Sequence, residues 1–206
     1  MPRPSKYVSR SDLGWGSSPA EQANPRSGLV IHYDSSDQNL ANKNHSSCVT
    51  YWRNTRSFHT GPSRGWADIG YSWMACPHGY VLEGRGLYRT QAAQPGGNSS
   101  HYSCTLATGP SDPITPDQIN AVRQLRQWLM EPDTSISGKV LGHRDFISTS
   151  CPGDKAYALV KDGTFAKAPG NTEGDDDMPS HRRFEKDKAQ KLEPGSWASL
   201  AFDKRH

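Results

Sequence analysis

The chain has 206 residues, enough for one ordinary domain with a core plus some tail and too few for two full domains. With 33% hydrophobic residues, 19 glycines and 15 prolines it reads as a compact but polar body with much irregular loop. The net charge is only +3, with lysines and arginines scattered among acids instead of forming a basic stripe. That argues against a nucleic-acid partner, and no segment is apolar enough for membrane insertion; nothing in the pattern calls for more than a monomer.

Residues 1–16 carry charges and lack the apolar run of about 7–15 residues that a secretory leader needs, so none is expected. The first structured signal is the β-branched run at residues 28–33, opened by Gly28 and followed by the turn-prone Asp34-Ser-Ser-Asp37; it predicts a buried strand ending at His32. A helix is expected over about residues 47–59. Strands at 69–75 and 80–83, separated by Pro77-His-Gly79, predict a hairpin, and 102–108 predicts another strand. The clearest helix begins at Thr115. Thr115 as N-cap, Pro116 in the first helical position and Gln118 in the third form a capping box, and Ile119, Val122, Leu125 and Leu129 give one apolar face. A strand at 139–142 and a helix at 155–162, ended near Gly163, complete the set. Strands alternating with helices predict an α/β domain with a central sheet.

The character changes after Lys167. Residues 1–167 are expected to form the domain, residues 168–191 a charged linker, and residues 192–206, with their apolar run after Pro194-Gly195, the start of a truncated β-rich domain. The basic surplus lies in residues 1–167, where it suits an anionic surface such as a cell wall. Four cysteines at 48, 76, 104 and 151 include no CxxC pair; the first three read as buried thiols with room for one disulfide.

Cys151 differs, because it closes the segment His143-Arg-Asp-Phe-Ile-Ser-Thr149-Ser-Cys151-Pro-Gly-Asp154. A histidine at a strand end and a cysteine eight residues on, with a bend between, can converge on one point, and zinc accepts such nitrogen and sulfur donors. Taken alone, such a pair is more often structural than metal-binding. His32 adds weight: a polar ring at the end of a buried strand is costly unless it is hydrogen-bonded or bound to metal.

In order along the chain, Val8-Ser-Arg10 with Trp15-Gly16, Val30-Ile-His32, Trp66-Ala-Asp-Ile-Gly-Tyr71, Glu83-Gly-Arg-Gly86 and Gly142-His-Arg-Asp145 through Cys151-Pro-Gly-Asp154 resemble the peptidoglycan recognition protein and phage-type amidase family. The resemblance spans about residues 7–162. It implies a mixed β-sheet of about five or six strands flanked by helices, with a zinc ion in a groove above the sheet. By matching position, His32, His143 and Cys151 would be its ligands, and Tyr71 and Thr149 the polar residues beside it. The implied activity is that of an N-acetylmuramoyl-L-alanine amidase, cleaving the amide between N-acetylmuramic acid and L-alanine in bacterial peptidoglycan. A bacteriophage endolysin, made in the cytoplasm of the infected cell and acting on the wall after release, is the expected setting. The alternative is a non-catalytic peptidoglycan-binding module; members that only bind typically lack the cysteine ligand, so Cys151 favours catalysis.

Two departures concern the groove. Tyr33 follows His32 where the family often has His or Cys, and Gln94 stands where a pocket histidine is common. Other residues carry two readings each. Glu83 and Arg85 could contact substrate or pair with each other to brace the hairpin, and Asp145 could orient His143 or cap the next turn. His45, His59, His78 and His101 are expected at the surface, and Trp66 and Trp73 in the core.

Overall fold

The computed structural model describes residues 3–170. Most of the expected linker and the whole of the expected segment 192–206 lie outside the described residues. Six strands and three helices follow one another: β1 (Tyr7–Val8), β2 (Leu29–His32), α1 (His45–Thr60), β3 (Trp73–Ala75), β4 (Val81–Glu83), β5 (Tyr102–Leu106), α2 (Pro116–Leu129), β6 (Val140–Gly142) and α3 (Asp154–Lys161). The strands form one sheet in the order β1-β4-β3-β5-β2-β6. Among the strand pairs of the sheet only the β3–β4 hairpin is antiparallel; the others are parallel, which a tight hairpin cannot make and a longer crossover connection can. The expected mixed, helix-flanked sheet is therefore present.

Alternation along the strands divides the core in two. Leu29, Ile31, Trp73, Ala75, Tyr102, Cys104 and Leu106 pack with Ala121, Val122, Leu125 and Leu129 of α2 and with Ala156 and Val160 of α3. Met74, Cys76 and Leu82 face the other way, onto Cys48 and Trp52 of α1. The same period of two turns Val30 and His32 away from the α2–α3 layer. None of the described helices is long and apolar enough to cross a membrane.

α2 starts where expected, with the Thr115 hydroxyl accepting from the Gln118 amide at 3.1 Å. The reciprocal half of the capping box is absent. Gln118 sends its side-chain amide to the Ala75 carbonyl at 2.8 Å instead, tying the helix start to β3. The strand expected at 69–75 is shorter, because residues 69–72 are spent as a loop. Arg85 donates from Nε to the Ile69 carbonyl (2.6 Å) and from its backbone to the Tyr71 carbonyl (2.9 Å), so those groups are unavailable to a ladder. β1 carried no sequence signal, since two residues are too few to show a period.

Buried charge fastens this loop. Asp68 accepts from Arg10 Nη1 (2.9 Å), Arg56 Nε (2.7 Å), the Ser18 hydroxyl (2.7 Å) and the Ile69 amide (2.9 Å). Burial pushes its carboxyl up, but these four partners outweigh it and leave the group below the usual carboxylate range. The expected pairing of Glu83 with Arg85 does not form. Arg85 bonds only carbonyls, those of Ile69, Thr90 and Asp68, while Glu83 accepts from the Arg10 backbone at 3.0 Å.

Candidate metal centre

The parallel strands β2, β5 and β6 end along one edge of the sheet, where open α/β sheets hold their ligands. His32 is the last residue of β2 and sits across from Thr105 of β5. Gly142 closes β6 across from Ile31, so His143, the next residue, emerges beside His32 with ring centroids 4.6 Å apart. Glycine is needed at 142: a Cβ there would lie 2.7 Å from the Tyr157 ring of α3.

The chain then bends back. Arg144 holds the bend by donating from Nη2 to the Ser150 carbonyl (2.7 Å) and pairing through Nη1 with Asp154 (2.9 Å). Cys151 arrives with its Sγ 3.6 Å from His32 Nδ1. The ligand-type atoms of His32, His143 and Cys151 all lie within 4.8 Å of one another. Asp145 does not orient His143; its carboxylate accepts from the Gly142 amide (2.8 Å) and the Tyr157 hydroxyl (2.6 Å), capping the turn.

The donor chemistry fits a metal ion. His32 Nε2 lies 2.9 Å from Gln94 Oε1, an acceptor, which places the proton on Nε2 and turns the lone pair of Nδ1 toward Cys151. His143 Nε2 is buried with no hydrogen-bond partner, a costly state for a polar atom that a cation would relieve. Burial, and secondarily His143, push His32 down to about 3, and burial lowers His143 as well, so both rings are neutral. Burial pushes the Cys151 thiol up to about 11 despite the Tyr33 amide and Arg144. A thiolate there needs a cation beside it.

Tyr71 borders the centre, its ring 5.3 Å from that of His32. Burial first, and then Cys151 and Asp34, raise its hydroxyl well above the usual phenol value, so it remains a donor at neutral pH. Thr149 accepts the Cys151 amide at 3.3 Å, leaving its own proton free. Both residues line a groove of about 610 Å³ together with the triad, Thr105, Asp34, Trp66 and, from α1, five residues that include Tyr51, Phe58 and His59.

Three of these were misplaced or missed from sequence. Trp73 is core, but Trp66 is half-buried and faces the groove. His59 is buried instead of exposed; its Nδ1 accepts the Gly70 amide at 3.1 Å and so positions the loop carrying Tyr71. Its position on the helical stripe with Cys48 and Trp52 was the available signal. Tyr51 donates to Asp34 at 2.6 Å, fixing the wall of the groove to the end of β2.

Residues 22–154 match the family profile described as N-acetylmuramoyl-L-alanine amidase. The chain belongs to that family. It is 31% identical over 158 residues to peptidoglycan-recognition protein SC2 of Drosophila melanogaster, covering 75% of this chain and 84% of the relative. It is 32% identical over 122 residues to the human N-acetylmuramoyl-L-alanine amidase, covering 55% of this chain but spanning only 20% of that protein's length. Among solved structures, Drosophila PGRP-LB superposes with a TM-score of 0.69 at 25% identity, covering 81% of this chain and 99% of the other. Peptidoglycan recognition protein-LE, solved in complex with tracheal cytotoxin, a monomeric diaminopimelic acid-type peptidoglycan, superposes with a TM-score of 0.67 at 26% identity, covering 77% and 94%. The fold family expected from the ordered motifs is the one found.

Proposed function

We propose that this chain is a zinc-dependent amidase that hydrolyses the bond between N-acetylmuramic acid and L-alanine in bacterial peptidoglycan. The observation that carries the reading is the third donor: Cys151 Sγ lies 3.6 Å from His32 Nδ1, with a ring nitrogen of His143 within 4.8 Å of both. His32, His143 and Cys151 would hold the metal and leave a fourth position facing the groove. When bound, zinc supplies a Lewis acid that brings the pKa of water to about 7 and polarises a carbonyl.

The chain's own residues supply the rest. The protonated Tyr71 hydroxyl donates to the oxygen that gains charge as the amide is attacked, and the Thr149 hydroxyl offers a second donor in the same groove. Gln94 holds the His32 tautomer, and His59 holds Tyr71 through Gly70. Aromatic faces of Trp66 and Phe58, the latter 52% exposed, offer stacking surface to a glycan or peptide. The recognition protein-LE structure, with its peptidoglycan fragment bound, supports the substrate class by likeness.

The zinc-loaded protein should release new L-alanine amino termini from purified cell walls, and Cys151→Ser should abolish the release. Tight muropeptide binding with no new termini at full zinc loading would convert the reading to a recognition module. The proposal extends to a lytic role of the endolysin kind. The four thiols, none paired in a disulfide, suit a chain made in a reducing compartment. Expressed inside bacteria, it should lyse them only when the inner membrane is permeabilised; lysis without permeabilisation, or none with it, would sink that extension.

A further inference from the structure

A second cluster of histidine and cysteine lies outside the groove. His45 and Cys48 sit three residues apart on the first turn of α1 and therefore share a face. Cys76 and His78 flank Pro77 in the turn that leaves β3, a turn closed by the Gly79 amide on the Cys76 carbonyl at 3.0 Å and by a positive φ at Gly79. Packing of α1 on the sheet brings the two pairs together. Cys48 Sγ lies 3.4 Å from His78 Nδ1, and Cys76 Sγ lies 3.5 Å from His45 Nδ1 and 3.7 Å from His78 Nδ1. All four donor atoms fall within 4.8 Å of one another.

From these distances we propose that His45, Cys48, Cys76 and His78 form a second, structural zinc site. Zinc bound at about 2.3 Å to sulfur and about 2.0–2.1 Å to nitrogen in a tetrahedron sets sulfur–nitrogen edges of about 3.6 Å. The three sulfur–nitrogen distances, 3.4, 3.5 and 3.7 Å, bracket that value. Both cysteines are fully buried and both imidazoles half-buried, so the site is closed by protein. Four protein donors leave no open position, which is the mark of a structural site and not a catalytic one.

The surrounding bonds have the form that orients metal-binding histidines. His78 Nε2 lies 2.7 Å from the Lys43 carbonyl, so its proton points outward and the lone pair of Nδ1 faces the thiols. The His45 ring is stacked on Tyr80 at 3.6 Å between centroids, and Lys6 lies over the Tyr80 ring, its Nζ donating to the His78 carbonyl at 3.1 Å. An ion here would pin the start of α1 to the β3–β4 turn. The same helix carries Tyr51, Phe58 and His59 along the groove.

Metal analysis of the purified full chain tests this independently of the groove site. Wild type should carry two zinc ions per chain and Cys151→Ser one. Cobalt loaded into Cys151→Ser should still show the strong visible bands and thiolate charge transfer of tetrahedral sulfur–nitrogen coordination. Cys48→Ser and Cys76→Ser, where they fold, should each lose one equivalent and weaken that charge transfer. A Cys151→Ser chain that folds but carries no tightly held zinc and shows no cobalt–thiolate band would overturn the proposal. So would recovery of Cys48 and Cys76 as a disulfide when thiols are alkylated without reductant.

Discussion

Gln94 shows how much one residue decides at this centre. Its Oε1 is the acceptor that sets the His32 tautomer, so Gln94→Ala leaves the ring free to turn. Losses of about 10–100-fold in metal affinity or activity follow from removing such an outer partner. Competition for zinc against a calibrated chelator would measure it. Tyr71→Phe keeps the ring and removes the donor; kcat should fall by about 10²–10³-fold with zinc content unchanged. An unaltered kcat would remove Tyr71 from the reaction. Of this detail the sequence revealed the compact pair His143 and Cys151 and the strand-end position of His32. The Gln94 contact was hidden, because 62 residues separate the partners and only the fold brings them together. His59 was missed for another reason: a polar ring is read as surface even on the buried stripe with Cys48 and Trp52, and its partner, the Gly70 amide, appears only in the fold.

At the scale of elements, the strand alternation and the Thr115 cap were legible because they are local. The loop at 69–72 was not, since its apolar residues mimic a strand while Arg85 and His59 consume its backbone groups. The contact between β6 and α3 bears directly on the site. Gly142→Ala would drive a methyl group into the Tyr157 ring, where a Cβ stands at 2.7 Å. Overpacking of this kind costs about 1–3 kcal/mol, and either α3 or His143 must yield. A lowered urea midpoint together with weakened zinc binding is expected. If only the midpoint moves, α3 has shifted and the ligand has stayed.

Across the whole molecule, the neutral buried imidazoles couple stability to acid. Burial pushes His32 down to about 3 and, helped by Arg64 and Arg85, pushes His59 down to about 4. The unfolded chain then binds more protons than the folded one below the ordinary histidine value of about 6.5, so stability rises with pH across that window and is lost as pH falls toward 4. Each group contributes a slope approaching about 1.4 kcal/mol per pH unit within its window. Urea midpoints of the metal-free protein from pH 7 to 4 should show this. His59→Gln, which retains an acceptor for Gly70, should flatten the slope, and an identical pH profile would show that His59 is already charged in the fold.

The three residues gathered at the candidate centre come from β2 and from the segment after β6, while α1 gives that centre no donor and contributes to the wall of the groove. Chemistry and selectivity are thus carried by different parts of the chain. Asn54 and Phe58, exposed on α1 and lining the groove, can be exchanged to suit a different ligand without disturbing any metal donor. A lineage, or an engineer, could therefore redirect what the groove accepts by rewriting a few exposed, groove-facing positions of a single helix.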